Sequence, residues 1–182
     1  MDEKETMAAL FRRRPPDPAE AIHGRILQQA RLPAFYESYG VADTLDGRFE
    51  LVVLHAFLFF HRLKGEDEAV REIGQRVFDI LFRDFDRNLR EMGTSYLVVP
   101  KRVKAMGRAF YGRTEAYDRA LAGDGEAALE AALAKNVYGG NEAEGLPRLA
   151  RYVRAAVAAL AAVQVGPLLA EGPAFPDPDA TS

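Results

Sequence analysis

The sequence predicts an all-α, single-domain bundle of about six to seven helices, and three observations carry that expectation. Thirty Ala against four Ile and five Thr favour helix over strand. Apolar residues recur at steps of three and four instead of alternating. Helix starts and stops punctuate those stretches, as at Asp17-Pro18, Leu32-Pro33, Gly40, Lys64-Gly65 and Gly93. The chain of 182 residues and 20.1 kDa has room for one core. At this mass a folded monomer buries roughly 70% of the surface of the extended chain, so the core needs no metal or disulfide staple. With no Cys, disulfides, thiolate metal sites, iron-sulfur clusters and a cysteine nucleophile are all excluded.

Residues 1 to 16 read as a mobile arm, since charges and Pro15-Pro16 offer nothing to pack, and the folded part is expected over 17 to 170. Asp17 caps a first helix with Pro18 at its first position, and Ile22, Ile26, Leu27 and Ala30 form its stripe. Leu32-Pro33 ends it. Phe35, Tyr36 and Tyr39 then lie in a short helical piece stopped by Gly40, which reads as an aromatic lid. After Asp43-Thr44 a helix to about Leu63 is apolar nearly all round and belongs at the middle of the bundle. The next, from Glu66 to about Met92, carries two apolar stripes, and the two are expected to form the core pair.

The loop Gly93 to Pro100 holds a short apolar run and opens into a helix from about Lys101 to Leu121. Val103, Met106, Phe110, Thr114, Tyr117 and Leu121 mark its inner face, with Lys101, Lys104, Arg108 and Tyr111 on or near the other. An Ala-rich helix from Glu126 to about Val137, the turn Tyr138-Gly139-Gly140-Asn141 and a last helix from Leu146 to about Gln164 complete the domain. Residues 171 to 182, with three Pro and acidic side chains, read as a mobile tail. The most apolar stretch, Leu51 to Phe60, is ten residues against about 20 needed to span a bilayer, and the acidic start lacks the apolar core of a secretory signal.

The inventory for catalysis is poor, with three His, three Ser and no Gly-rich phosphate loop. His55 and His61, six apart, fall on opposite sides of a helix, so they are expected as hydrogen-bonded structural groups with no metal. Asp79, Arg83, Asp86, Arg87 and Arg90 read as a salt-bridged face, and Asp84, among apolar positions, as the anchor of an arginine from a neighbouring helix. Asp84, Asp79 and His55 are the only hints of an enzyme, and the reading is of a protein that is not one and carries no cofactor. A net charge of -3 argues against coating nucleic acid through bulk charge, and no DNA partner is expected.

The strongest local signal is Pro100 to Arg113, with five basic residues and no acid in an acidic protein. Such a run is either a solvated face or a one-signed field that attracts RNA, lipid headgroups, acidic protein segments or haem propionates. Tyr111 beside Arg108 adds an aromatic anchor. Gly107 and Gly112, unfavourable inside a helix, are expected where another backbone comes close.

Taken together, Pro33-Ala34-Phe35-Tyr36, Gly40 to Glu50, Leu89-Arg90-Glu91-Met92-Gly93, Val99 to Lys104 and Ala109-Phe110-Tyr111-Gly112-Arg113 resemble the ubiquinol-cytochrome c chaperone family over about residues 20 to 165. Members are helical assembly factors for the cytochrome bc1 complex. The mitochondrial ones act at the ribosome exit and hold newly made cytochrome b until haem and partner subunits are in place. The resemblance implies a short bacterial-type chaperone with cytochrome b as client, working in the cytoplasm, with the ribosome near the tunnel exit and peripheral membrane contact as further partners. The same basic helix would serve a ribosome- or RNA-associated translation factor. The residues expected to meet the client or partner are Lys101, Lys104, Arg108, Tyr111 and Arg113, with Phe35, Tyr36 and Tyr39 as the apolar part.

Overall fold

The computed structural model describes residues 17–123 and 126–180, so the expected arm over 1 to 16 lies outside the described residues. Eight α-helices follow one another among them: α1 Pro18–Ala30, α2 Ala34–Glu37, α3 Leu45–Arg62, α4 Glu68–Glu91, α5 Val99–Ala122, α6 Glu126–Asn136, α7 Leu146–Ala162 and α8 Val165–Glu171. A 3-10 turn at Pro178–Ala180 closes the described chain, and no strand occurs among these residues. The all-α expectation holds. Only α8 has no counterpart in the sequence reading; it turns back from α7 at 110°.

Side-chain caps set three of the starts. The Asp17 carboxylate accepts from the Ala19 N–H at 3.0 Å, Thr44 Oγ1 from Gly47 N–H at 3.1 Å and Asp67 from Val70 N–H at 3.0 Å. Gly47 is required for a second reason, because a Cβ there would lie 2.0 Å from the Ala42 carbonyl oxygen.

Helix α3 is the hub. Eleven of its residues are buried, from Gly47 to Phe59, and it packs on α1, α5 and α7. An element with neighbours on several sides has no face left for polar residues, which is why its sequence is apolar all round. Helix α4 differs from the expected core pair. Its backbone lies against α1 and α5, and it reaches α3 through rings, Phe49 to Phe85 at 5.2 Å and Phe60 to Phe78 at 6.4 Å. Bulky aromatics between the two hold the helices apart.

The tail corrects the sequence reading. Gly172, at φ 83°, turns the chain after α8, and residues 172–180 run back as a strap over the bundle. Gln29 Nε2 donates to the Pro176 carbonyl at 2.9 Å, and the buried Tyr39 hydroxyl donates to the Pro178 carbonyl at 2.7 Å. The Phe175 ring meets the His55 ring edge-on at 5.2 Å. Proline has no N–H to satisfy but keeps its carbonyl, and the carbonyls of Pro176 and Pro178 accept from these interior donors. Local composition shows the missing donors and cannot show the waiting partners.

Candidate functional site: the cationic face of helix α5 and its apolar tip

Helix α5 starts with Pro100 in its first turn and with neither a side-chain cap nor an acid there. Lys101, Lys104, Arg108 and Tyr111 recur at steps of three, four and three, which places them on one face, and all four are exposed. Among the described residues, Lys101, Arg102, Lys104 and Arg108 form no ion pair. The opposite side buries Phe110, Tyr117 and Ala120. Phe110 sits edge-on to Phe60, Phe78 and Phe82 at 6.0, 5.5 and 5.9 Å, so the helix is held by rings below while its charges stay in water. Tyr111 is 62% exposed, yet its ring lies 5.8 Å from that of Phe78, which fixes its direction.

The loop before α5 is the part the sequence reading passed over. Tyr96 is 75% exposed and Leu97 85%, with Met92 and Val98 also open to solvent. The signal was the apolar run Tyr96-Leu97-Val98-Val99 between Gly93-Thr94-Ser95 and Pro100, of which only Val99 turns into the core. The Arg90 guanidinium stands 5.0 Å from the Tyr96 ring centre and is itself held by Asp86.

Four expected site residues fall elsewhere. Arg113 is half-buried and forms a two-pronged pair with Glu50 of α3, its Nε 2.5 Å from Oε2 and its Nη2 on Oε1. Burial pushes the Glu50 carboxyl up from its ordinary range, while the hydrogen bonds and charge of Arg113 oppose this. Arg113 is therefore a structural cation that also lies 5.7 Å from the Phe49 ring. Phe35 and Tyr39 are fully buried, with Phe35 packed on Tyr39, His55 and Tyr152, and Tyr36 is half-buried with its hydroxyl donating to the Ala30 carbonyl. The aromatic lid is a piece of core, because α2 is folded under the strap and the phenols find interior acceptors.

His55 and His61 are hydrogen-bonded, as the sequence suggested. His55 Nδ1 is 2.7 Å from the Leu51 carbonyl, which can only accept, so Nδ1 carries the proton. Its Nε2 then accepts from the Tyr152 hydroxyl at 2.9 Å, and Tyr152 accepts from Gln29 Nε2 at 3.0 Å. Burial lowers the His55 pKa to about 4 and keeps the ring neutral. His61 binds Asp118 at 2.8 Å, and Lys64 pairs with the same carboxylate. Asp84 takes Arg87 of its own helix and lies 3.9 Å from His23 of α1, not the neighbouring arginine expected. Asp79 accepts from Gln75 at 2.8 Å. The glycines of α5 depart from expectation too: a Cβ on Gly107 would touch only Phe82 at 3.6 Å, and one on Gly112 would meet nothing within 4 Å.

Comparison with known proteins agrees with this architecture. The chain is 36% identical to the Cbp3 homolog from Brucella abortus, whose crystal structure superposes with a TM-score of 0.83 over 95% of this chain and 98% of that one. It is 26% identical over 122 residues to ubiquinol-cytochrome-c reductase complex assembly factor 1 of Xenopus laevis, a match that spans 66% of this chain and 60% of the frog protein. Residues 37–175 match the family described as ubiquinol-cytochrome C chaperone, a span that takes in α3 to α8, the cationic face and the start of the strap. The chain belongs to the ubiquinol-cytochrome c chaperone family.

Proposed function

We propose that this protein is an assembly chaperone that binds newly made cytochrome b and holds it for entry into the cytochrome bc1 complex, working by binding and not by catalysis, without a cofactor of its own. The observation that carries this reading is the face of α5. Lys101, Lys104 and Arg108 stand exposed without ion pairs among the described residues, beside a Tyr111 directed outward by the ring below it, in a chain of net charge -3. A client not yet complete offers apolar segments and acidic loops. A rigid helix with one sign of charge and one aromatic anchor meets both needs. It also gives the client a surface that excludes water locally until haem insertion folds it and weakens the contact.

The test is recovery of cytochrome b with the tagged protein from gently solubilised membranes, read by mass spectrometry. Recovery with the wild type and loss with a folded Lys104→Glu, Arg108→Glu double variant supports the reading. Recovery of ribosomal components without cytochrome b, persisting on RNA stripped of protein and weakening steeply with salt, overturns it in favour of a translation-linked role.

A further inference from the structure

We propose that the turn at Ser95–Val98 is a membrane-docking tip whose partner is an anionic lipid surface. The tip is preformed. Val98 N–H donates to the Ser95 carbonyl at 2.8 Å, Val99 N–H to the same oxygen at 3.1 Å, and Thr94 N–H to the Leu89 carbonyl at 3.0 Å. Val99 is fully buried and pins the turn to the core. On this fixed base Tyr96 and Leu97 are 75% and 85% exposed, the largest such values among the big apolar side chains described; Val98 follows them, and Met92, exposed too, ends α4 just before the turn. Scattered apolar residues at a surface are ordinary, whereas three in succession on one rigid turn are not.

Charge selects the partner. From Met92 to Thr114 the chain carries five cations and no acid, and Arg113, paired with Glu50, leaves four to set the local field. Lys101, Arg102 and Lys104 lie within the first two turns of α5, roughly 8 Å along the helix from its start, and so ring the tip. The adjoining end of α4 brings Arg87 and Arg90, which are matched by Asp84, Asp86 and Glu91 and add little net charge. An apolar tip with an aromatic hydroxyl at its edge and a collar of lysine and arginine fits the boundary of a bilayer. Leucine enters the acyl region, tyrosine sits at headgroup level and the cations face anionic phosphates. A protein segment is a weaker fit, because a projecting turn offers it little area on either side. Lys101 and Lys104 also belong to the face assigned to the client, whereas Arg108 and Tyr111, farther along α5, stay clear of the lipid; the vesicle test contains no client, so this proposal does not rest on the identity of that client.

The chain has no Trp, so Leu97→Trp places a single indole at the tip. With protein-free vesicles of phosphatidylcholine and phosphatidylglycerol, its emission is expected to shift to the blue and to be quenched by brominated acyl chains. With phosphatidylcholine alone it should stay as in buffer. In sedimentation with the mixed vesicles, Leu97→Ser is expected to weaken binding about tenfold. The pair Lys101→Ala, Lys104→Ala should weaken it about thirtyfold, and added salt should do the same. All these positions are exposed, and circular dichroism checks that the variants keep their helices. An indole that stays in water on anionic vesicles, or equal binding by wild type and Leu97→Ser, overturns the proposal. Loss of cytochrome b recovery with Leu97→Ser while vesicle binding is unchanged also overturns it and makes the tip a protein contact. Because the vesicles hold no protein, failure here is distinct from failure of the client assay.

Discussion

Among the groups through which lowering the pH should weaken this fold, His55 is the most deeply buried. In the folded chain its ring is fully buried, gives the Nδ1 proton to Leu51 and accepts from Tyr152, with a pKa lowered from 6.5 to about 4. In the unfolded chain the ring returns to its ordinary value. As pH falls through about 6.5 the unfolded state binds the proton first, so the stability contributed by neutral His55 is whole above that pH and is lost toward about 4. The ceiling is roughly 3 kcal/mol, and the loss between about pH 7 and about pH 5 is about 2 kcal/mol. Protonation also turns Nε2 into a donor facing the Tyr152 hydroxyl, which then loses the acceptor for its own hydrogen. Urea unfolding across this range, wild type against His55→Gln, isolates the term, since every other titrating group is common to both. The variant should lose about 1.4 kcal/mol per pH unit of slope in the middle of the range. Parallel slopes, or an imidazole that titrates near its ordinary value in NMR of the folded protein, would refute the reasoning.

Removing the guanidinium in Arg113→Ala leaves the Glu50 carboxylate buried and alone and should cost about 3–5 kcal/mol in urea unfolding. Because burial already raises the Glu50 pKa, the folded form takes up its proton before the unfolded form does, and part of that loss should return as pH falls toward the ordinary carboxylate range, with no further gain below it. Gly145→Ala would drive a Cβ to 2.0 Å from the Tyr39 carbonyl oxygen and is expected to cost about 3 kcal/mol or to shift α7, whereas Gly112→Ala, with open space around it, should stabilise α5 by roughly 0.5–1 kcal/mol; thermal melts of both compare them directly. Truncation after Gly172 removes the acceptors of Gln29 and Tyr39 and the Phe175 ring, and should lower stability by about 3 kcal/mol while leaving the helix content nearly unchanged in circular dichroism.

What the sequence could show depended on how local the cause was. The caps at Asp17 and Thr44, the all-round apolar α3 and the two faces of α5 are each written within one or two turns, and each was read correctly. The cationic character of Lys101, Lys104 and Arg108 was legible for the same reason, since no acid follows until Glu115. The fate of Arg113 was not legible. Its partner Glu50 is 63 residues away and meets it only because α3 and α5 cross. The aromatic triplet at Phe35, Tyr36 and Tyr39 looked like a surface feature because its short helix has little to pack on within its own segment. Its burial is supplied by α3, α7 and the returning strap.

Helix class, most helix boundaries and the placing of charge along α5 are written locally in the chain, because hydrogen-bonded turns and side-chain periodicity are settled between neighbours three and four residues apart. Tertiary structure alone decided which cations are free and which are spent on a buried carboxylate, which aromatics meet water, and that a proline-rich end is a strap. Those outcomes turn on partners distant in the chain, such as Glu50 with Arg113, Tyr39 with Pro178 and His55 with Tyr152, and desolvation is a property of the packed assembly of helices that no single helix carries.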